Sequence, residues 1–256
     1  MGNSIFDLSG KVAVVIGASR GIGKRLALGF AEYGADVIPT SRSEDKIEEC
    51  VKEVKELGVS SLFHPIDATK KEEVLALRSD VIDEFGRVDI LLNAAGTNVK
   101  KDFLELAEDE WDKVLEVNLK SAFLTCKLFG EVMVKNNYGR IINIASMGSK
   151  FGITRSSAYC ASKGGVSQLT KVIALEWAEK NVNVNAIAPG FFRTELTKPV
   201  FNNKEAYKAI MARTPKNRAG EVEELVGAAV YLASEASKFV TGETIAVDGG
   251  FTAYGI

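Results

Sequence analysis

Tyr159 and Lys163 are the side chains of this sequence whose types and spacing best suit proton transfer. They fall four residues apart in a helical pattern, so a helix presents them on one face. A free phenol has a pKa of about 10 and is a poor base at neutral pH. Because a nearby ammonium favours the phenolate, we expect Lys163 to lower the pKa of Tyr159 toward the range of an acid/base catalyst.

Two further polar residues precede this pair in the chain. Ser146 follows the apolar run 140–145, a predicted strand, and its hydroxyl could hydrogen-bond the substrate oxygen that Tyr159 protonates or deprotonates. Asn118 falls inside a predicted helix, 109–135, where asparagine is locally unfavourable. We expect Asn118 to hold a water molecule that links Lys163 to solvent. Alternatively, Tyr159 and Lys163 could be surface residues of an amphipathic helix. That alternative does not explain why Asn118 and Ser146 precede them in this order.

A glycine-rich turn lies between the apolar run 12–16 and the helical pattern 21–33. Glycine permits a tight turn and lets the backbone approach a pyrophosphate, and the helix N-terminus offers unpaired N–H groups. The spacing is G-x-x-x-G-x-G rather than G-x-G-x-x-G. Together with a tyrosine acid/base, this turn predicts hydride transfer with a nicotinamide. The residues predicted to bind the dinucleotide here are Gly17, Ser19, Arg20, Gly21, Ile22 and Gly23.

The end of the second predicted strand, 36–40, indicates which nicotinamide cofactor is used. An NAD enzyme places an acidic residue there to grip the ribose 2′-hydroxyl, whereas this chain continues with Ser41 and Arg42. Arg42 and Arg20 are suited to binding a 2′-phosphate. Both arginines could instead be solvated surface charges. We expect NADP(H) to be the cofactor, with NADPH preferred over NADH.

Two more strand ends are predicted to contact the cofactor. Asp67 and Ala68 follow the predicted third strand, 61–66, where they could touch the adenine; Asp67 could also cap the next helix. Small residues end the next strand, 88–93, and let the adenosine and its ribose lie against it. These predicted cofactor residues are Asn93, Ala94 and Gly96.

Short apolar runs alternate with amphipathic stretches along the whole chain. Continuous Val/Ile/Leu runs are typical of strands that are buried on both faces of a parallel sheet. Their alternation with helices predicts a single α/β domain over 1–256, a Rossmann-type doubly wound parallel sheet with helices on both faces. The segment 190–220 interrupts this pattern. We interpret it as a substrate lid, with a pair of short helices packed on the body as the alternative.

Composition excludes several classes of function. The net charge is −2, so we expect no nucleic-acid partner, and no apolar run approaches the ~20 residues that span a bilayer. Three scattered cysteines and one histidine, His64, predict neither a metal site nor a His-based triad. Residues 1–10 lack the pattern of a secretion signal, so we expect a cytoplasmic protein with reduced thiols and no membrane partner.

These motifs resemble the short-chain dehydrogenase/reductase family along essentially the whole chain. The likeness rests on the glycine turn, on Asn93-Ala94-Ala95-Gly96, on the set Asn118, Ser146, Tyr159 and Lys163, and on Asp248-Gly249-Gly250; Ile16 departs from the usual threonine. The resemblance implies that Lys163 also binds the nicotinamide ribose and that the protein is a homotetramer built from the helices around 109–135 and 157–180 and from the C-terminal strand. It further implies nicotinamide carboxamide contacts from Pro189, Gly190, Phe192 and Thr194.

Within that family, the stretches 185–197 and 247–253 are most similar to gluconate 5-dehydrogenases and related sugar-acid reductases. The implied substrate is a small carbonyl or alcohol compound, namely a keto-sugar acid such as 5-ketogluconate and its alcohol, gluconate. A sugar acid needs a cation for its carboxylate. The candidates beside the predicted cleft, each of which could be a solvated surface charge, are Lys100, Lys101, Arg155 and Arg193.

Three other functions remain open from the sequence. A 3-oxoacyl-[acyl-carrier-protein] reductase shares every catalytic residue, but its two carrier-docking positions beside the active-site entrance match Asn137 and Lys180, which leaves one cation. A broad sugar, polyol or secondary-alcohol dehydrogenase is another. A catalytically silent NADP-binding regulator belongs to a different class, and the complete set of four catalytic residues argues against it.

Overall fold

The computed structural model describes residues 4–253, and its centre is one six-stranded parallel sheet. The predicted Rossmann-type doubly wound sheet is confirmed. The strand order is β2-β1-β3-β4-β5-β6, and the crossover between β1 and β3 divides the sheet into two halves. The strands are β1 Val12–Ile16, β2 Asp36–Thr40, β3 Ile90–Asn93, β4 Gly139–Ile144, β5 Val182–Pro189 and β6 Thr244–Val247.

Helices cover both faces of the sheet. One core packs α1, α2 and α9 against the sheet around Leu26, Ile47 and Val230, and the other packs α3, α5 and α6 around Leu77, Phe129 and Ile173. These contacts bury the apolar stripe of each helix and fix the loops at the strand ends. The helices are α1 Gly21–Glu32, α2 Glu44–Glu56, α3 Lys71–Phe85, α4 Glu108–Leu115, α5 Ser121–Lys135, α6 Ser157–Trp177, α7 Lys198–Asn202, α8 Lys204–Ala212 and α9 Val226–Ala233.

The predicted strand at 61–66 is wrong, because this segment runs beside β2 without forming a regular ladder. The Val37 N–H bonds Ser60 O and the Ile66 N–H bonds Ser41 O, but side chains make the bonds between them. The Thr40 hydroxyl donates to His64 O and the Ser61 hydroxyl donates to Val37 O. Backbone groups that bond to side chains are not available for a continuous ladder.

The predicted helix 109–135 is not continuous. It comprises α4 and α5 with a π-helical turn, Glu116–Lys120, between them. Such a turn inserts one extra residue into the helical ladder and is frequent at functional sites. Asn118 lies at the centre of this π-helical turn and therefore not in the regular α-helix that the sequence predicts.

The segment 190–220 follows β5 and contains the short helices α7 and α8. An isolated bridge between Phe192 and Gly220 joins the two ends of this segment. Among the helices formed by residues 4–253, none has both the length and the apolar character needed to cross a membrane. The predicted domain includes residues 1–3 and 254–256, which lie outside the described residues. Residues 1–3 also belong to the segment 1–10, for which no secretion signal is predicted.

Candidate active site

The parallel strands bring the predicted functional residues to one edge of the sheet. The glycine turn follows β1, Arg42 follows β2, Ser146 follows β4, and Pro189 ends β5. These carboxyl ends surround a cavity of about 850 Å³. Nineteen of the predicted catalytic and cofactor-binding residues line it: Gly17, Ser19, Arg20, Gly21, Ile22, Gly23, Ser41, Arg42, Asp67, Ala68, Ala94, Gly96, Ser146, Tyr159, Lys163, Pro189, Gly190, Phe192 and Thr194.

Asn93 and Asn118 do not line that cavity. The Asn93 side chain turns into the core, where its amide donates to Asn143 Oδ1 at 2.9 Å and accepts from the Thr125 hydroxyl at 2.7 Å. The strand end therefore presents Ala94 and Gly96, rather than the Asn93 side chain, to a ligand.

The Asn118 amide is bonded to the loop after β3 and to α6. Its Oδ1 accepts from the Thr97 N–H at 2.7 Å, and its Nδ2 donates to Thr97 O and to Ser162 Oγ, both at 2.9 Å. Asn118 is 2% exposed. These bonds fix the backbone of Thr97, which lines the cavity, against the helix that carries Tyr159 and Lys163. The expected water molecule on Asn118 stays a prediction.

Tyr159 lies in the first turn of α6 and projects into the cavity beside Ser146. Burial raises the pKa of Tyr159, and the hydrogen bond from the Ser146 hydroxyl opposes that rise. The direction is opposite to the lowering expected from the sequence, because removal of water penalises the phenolate more than the neighbouring hydroxyl stabilises it. The protein without cofactor therefore holds a neutral phenol, which is the form that donates a proton.

Lys163 is 4% exposed, one helical turn beyond Tyr159. Its ammonium donates to Ile144 O at 2.6 Å and lies 6.0 Å from the centroid of the Tyr159 ring. Burial lowers the pKa of Lys163 from 10.5 to about 8. The ammonium thus lies beside the Tyr159 ring and lines the cavity, at a cost in desolvation.

We expect the free energy of unfolding to report this buried lysine. Since the folded pKa of Lys163 is depressed from 10.5 to about 8, the unfolded chain binds a proton in that window that the folded chain does not. The stability of the cofactor-free protein should therefore rise by ~2 kcal/mol relative to Lys163→Met between about pH 7.5 and about pH 10. Urea unfolding of both proteins at the two pH values measures it, and a difference that does not change with pH would contradict it.

The glycine turn has no room for side chains at two positions. Gly17 has φ +86°, and a Cβ atom there would lie 2.6 Å from the Ala95 backbone nitrogen. A Cβ atom on Gly23 would approach the Gly17 carbonyl oxygen even more closely. No side chain caps the first turn of α1, whose residues Gly21, Ile22 and Gly23 line the cavity, and uncapped N–H groups at a helix start suit a pyrophosphate.

Cations border the cavity where β2 ends. Arg20 and Arg42 line it as predicted, together with Lys46, which sequence reasoning missed. Lys46 lies in the first turn of α2, which begins two residues after Arg42, and the predicted helix start at this strand end could have indicated it. Within residues 4–253, no carboxylate comes within ion-pair distance of these three side chains. The donor set fits a 2′-phosphate better than a ribose diol.

Three of the four candidate cations for a substrate carboxylate are paired with carboxylates of the protein. Lys101 bonds Glu110 at 2.6 Å, Arg155 lies 3.5 Å from Asp102, and Arg193 lies 3.1 Å from Glu221. Lys100 differs, since it lines the cavity itself. The structure therefore singles out Lys100 from the predicted group.

The two positions expected beside the cavity for docking a carrier protein lie elsewhere in this chain. Asn137 precedes β4 and Lys180 precedes β5, so both stand at the amino ends of parallel strands. The Asn181 amide, next to Lys180, donates to Asn137 O. Ser146 and Tyr159 are at the opposite edge of the sheet, so the expected placement is wrong for a single chain.

No group of three or more His, Cys, Asp or Glu residues among 4–253 could hold a metal ion. His64 instead contacts Asp80 at 2.7 Å.

Comparisons with known proteins agree with this geometry. A family model described as "Enoyl-(Acyl carrier protein) reductase" matches residues 17–252. The 2-dehydro-3-deoxy-D-gluconate 5-dehydrogenase of Escherichia coli (strain K12) is 42% identical over 251 residues, which cover 98% of each chain. The 5-keto-D-gluconate 5-reductase of the same organism is 38% identical over 97% of this chain and 98% of its own. The crystal structure of a gluconate 5-dehydrogenase from Burkholderia cenocepacia J2315 in complex with NADP and tartrate matches with a TM-score of 0.94 at 35% identity, covering 97% of each chain.

Proposed function

The chain belongs to the short-chain dehydrogenase/reductase family of oxidoreductases, and from this membership we propose that it interconverts a keto-sugar acid and its alcohol with NADP(H). One observation carries the proposal. A single cavity joins the glycine turn and its cations to Ser146, Tyr159 and Lys163. A dinucleotide held by the first group would extend toward the proton donor of the second, as hydride transfer requires.

The residues of the chain divide the remaining work of the reaction. NADPH, when bound, supplies the hydride. Tyr159 donates its phenolic proton to the carbonyl oxygen during reduction, and Ser146 donates a hydrogen bond to that same oxygen. Lys163 stabilises the phenolate that Tyr159 becomes and binds the ribose hydroxyls. Asn118 holds the loop at Thr97 against α6 and is proposed to anchor the water molecule that returns a proton to the site.

Preference for NADPH over NADH is proposed to rest on Arg20, Arg42 and Lys46. Arg42→Ser removes a charged fork at the end of β2, so the Kd for NADPH should rise about 10- to 100-fold while the Kd for NADH changes less than about twofold. Lys46→Met should have a smaller effect of the same kind, and Lys55→Met, in the last turn of the same helix, is the control. Fluorescence titration with each nucleotide gives the values. Equal weakening of both nucleotides would rule out a 2′-phosphate contact.

A sugar acid is the proposed substrate because the cavity contains both a proton donor and a cation for a carboxylate. Lys100 lines the cavity that also holds Tyr159 and Ser146. Several similar proteins are named for gluconate-type sugar acids, which carry one carboxylate and several hydroxyls. The segment 190–220 forms another wall through Phe192, Thr194 and Leu196, and we propose that it acts as a lid over the substrate.

The first test is NADPH oxidation with 5-ketogluconate, compared with acetoacetyl-coenzyme A as the carbonyl substrate. We expect the sugar acid to have the higher kcat/KM. Lys100→Met should then raise the KM for the sugar acid about tenfold with little change in kcat, because the carboxylate contact is the same before and during the reaction. Lys135→Met, at the end of α5, is the control. Preference for the thioester would instead support fatty-acid reduction.

Assembly into a homotetramer is proposed from apolar side chains that the single chain leaves exposed. On α5, Ala122, Cys126 and Phe129 cover the sheet, whereas Phe123 is 46% exposed. Leu175 on α6 is 81% exposed. Packing of these helices between copies would bury both side chains. The mass of the protein in solution, measured by light scattering, decides it, and a monomeric mass would refute the proposal.

A further inference from the structure

A buried polar contact joins α6 to β4 beneath the proposed active site. Asn143, the next-to-last residue of β4, donates from Nδ2 to the Thr170 hydroxyl oxygen at 2.9 Å. Its Oδ1 accepts from the Asn93 amide at 2.9 Å. The Thr170 hydroxyl donates to Val166 O within α6. Asn143 and Thr170 are both 0% exposed, so this contact is wholly inside the protein.

The position of this contact relates it to the catalytic lysine. Thr170 lies seven residues, or two helical turns, after Lys163, so both side chains point from the same face of α6. Lys163 donates to Ile144 O, and Ile144 directly follows Asn143. Two adjacent residues of β4 are therefore bonded to α6, two helical turns apart. The Asn143 side chain bonds Thr170, and the Ile144 carbonyl bonds Lys163.

The hydrogen bonds between β4 and α6 restrain the helix differently from the apolar packing around them. The same face of the sheet also meets α6 through apolar side chains, among them Ile141 of β4 and Ile173 of α6, whose packing is non-directional. Apolar packing positions a helix through shape alone, whereas a buried hydrogen bond also depends steeply on distance and angle. A buried amide and hydroxyl also resist separation, because each would be left without a partner and without water.

We propose that Asn143 and Thr170 are positioning residues, which hold α6 against β4 so that Lys163 stays at the Ile144 carbonyl beside Tyr159 and Ser146. Ser146 follows β4 by two residues, whereas Tyr159 and Lys163 both belong to α6. The Asn143–Thr170 bond therefore connects the two elements whose relative position sets the catalytic distances. Displacements of about 1 Å at such sites can reduce rates by about 100-fold.

Thr170→Val tests this role, because it removes the hydroxyl and keeps the shape of the side chain. The kcat should fall about tenfold or more, because Lys163 and Tyr159 on α6 would shift relative to Ser146 after β4. Thr170→Ser, which keeps the hydroxyl, should restore kcat to within about twofold. If Thr170→Val does not fold, Thr170→Ala gives the same comparison, since a water molecule beside Asn143 cannot fix the helix.

Thr125→Val is a closely matched control. Thr125 is also 0% exposed and also bonds a carbonyl one turn back in its helix, and its hydroxyl donates to Asn93 Oδ1. Its replacement leaves in place the Asn93 Nδ2 that donates to Asn143, and so also the Asn143–Thr170 bond. It belongs to α5, which carries none of Ser146, Tyr159 and Lys163. Both variants should lower Tm to a similar extent, but only Thr170→Val should lower kcat.

Titration of Lys163 in the cofactor-free protein provides a readout that a purely structural role would not move. The ε-carbon resonance of a ¹³C-labelled lysine should titrate near pH 8 in the wild type, as burial sets the pKa of Lys163 to about 8. In Thr170→Val the midpoint should rise by about half a pH unit or more, toward that of a solvated lysine. In Thr125→Val the titration midpoint of Lys163 should equal that of the wild type.

The positioning role rests on the proposed function only in the measurement of kcat. The positioning role and the proposed function can therefore fail separately. If 5-ketogluconate is not a substrate, the lysine midpoint still reports the position of α6. If Thr170→Val matches Thr125→Val in the lysine midpoint, or in kcat with any substrate that the wild type turns over, the positioning role is overturned.

Discussion

Replacing Tyr159 by Phe should reduce kcat by three orders of magnitude or more while leaving the Kd for NADPH within about threefold of the wild-type value. The change removes one hydroxyl and keeps the ring that lines the cavity. General acid catalysis typically contributes 10²- to 10⁴-fold. The ammonium of Lys163, the other acidic group beside the Tyr159 ring, donates to Ile144 O instead. Steady-state reduction of the keto acid and fluorescence titration with NADPH give the two numbers.

Tyr33→Phe is the control for Tyr159→Phe. Tyr33 follows α1 and is 43% exposed, so the same deletion there should change neither kcat nor the Kd. The pKa of Tyr159, raised by burial, adds a second expectation, since the phenol stays protonated through neutral pH and can act as the acid for reduction. If Tyr159→Phe kept more than about a tenth of the wild-type kcat, another group would have to supply the proton.

The fold and the outline of the site could be predicted because both depend on local pattern. Continuous apolar runs indicate buried parallel strands, and parallel strands place their carboxyl ends at one edge. Residues that follow such runs, among them Gly17, Arg42, Ser146 and Pro189, therefore meet in one cavity although they are far apart in the chain. Spacing within one helix likewise predicts that Tyr159 and Lys163 are neighbours.

The features that could not be predicted depend on contacts between distant segments. Whether 61–66 forms a strand depends on which groups of β2 remain free, and Thr40 and Ser61 side chains take part of that bonding. Which cation faces a substrate depends on partners: Lys101 meets Glu110, but Lys100, its neighbour, lines the cavity. The direction of the Tyr159 pKa shift depends on burial, which residue spacing does not specify.

Gly23→Ala should abolish tight NADPH binding, raising the Kd more than about 100-fold, and should lower the stability of the protein by ~1–3 kcal/mol. The added Cβ atom would meet the carbonyl oxygen of Gly17, a backbone group that cannot turn away as a side chain could. The turn after β1 and the start of α1 would have to separate, and these are the groups proposed to bind the pyrophosphate. Thermal unfolding and fluorescence titration measure the two effects.

Gly227→Ala provides the matched control, since it makes the same substitution at the second residue of α9, where no atom of residues 4–253 beyond the adjacent helix backbone lies within 4 Å of the added Cβ. Alanine is favoured over glycine in helices by ~0.5–1 kcal/mol, so this variant should be slightly more stable than the wild type and should bind NADPH equally well. The gain in helix propensity applies at both sites, whereas a close contact with the backbone exists only at Gly23. Opposite effects of the two substitutions would therefore be due to that contact. If Gly23→Ala bound NADPH as the wild type does, the turn would have to accommodate a side chain without moving, and its role in holding the pyrophosphate would be lost.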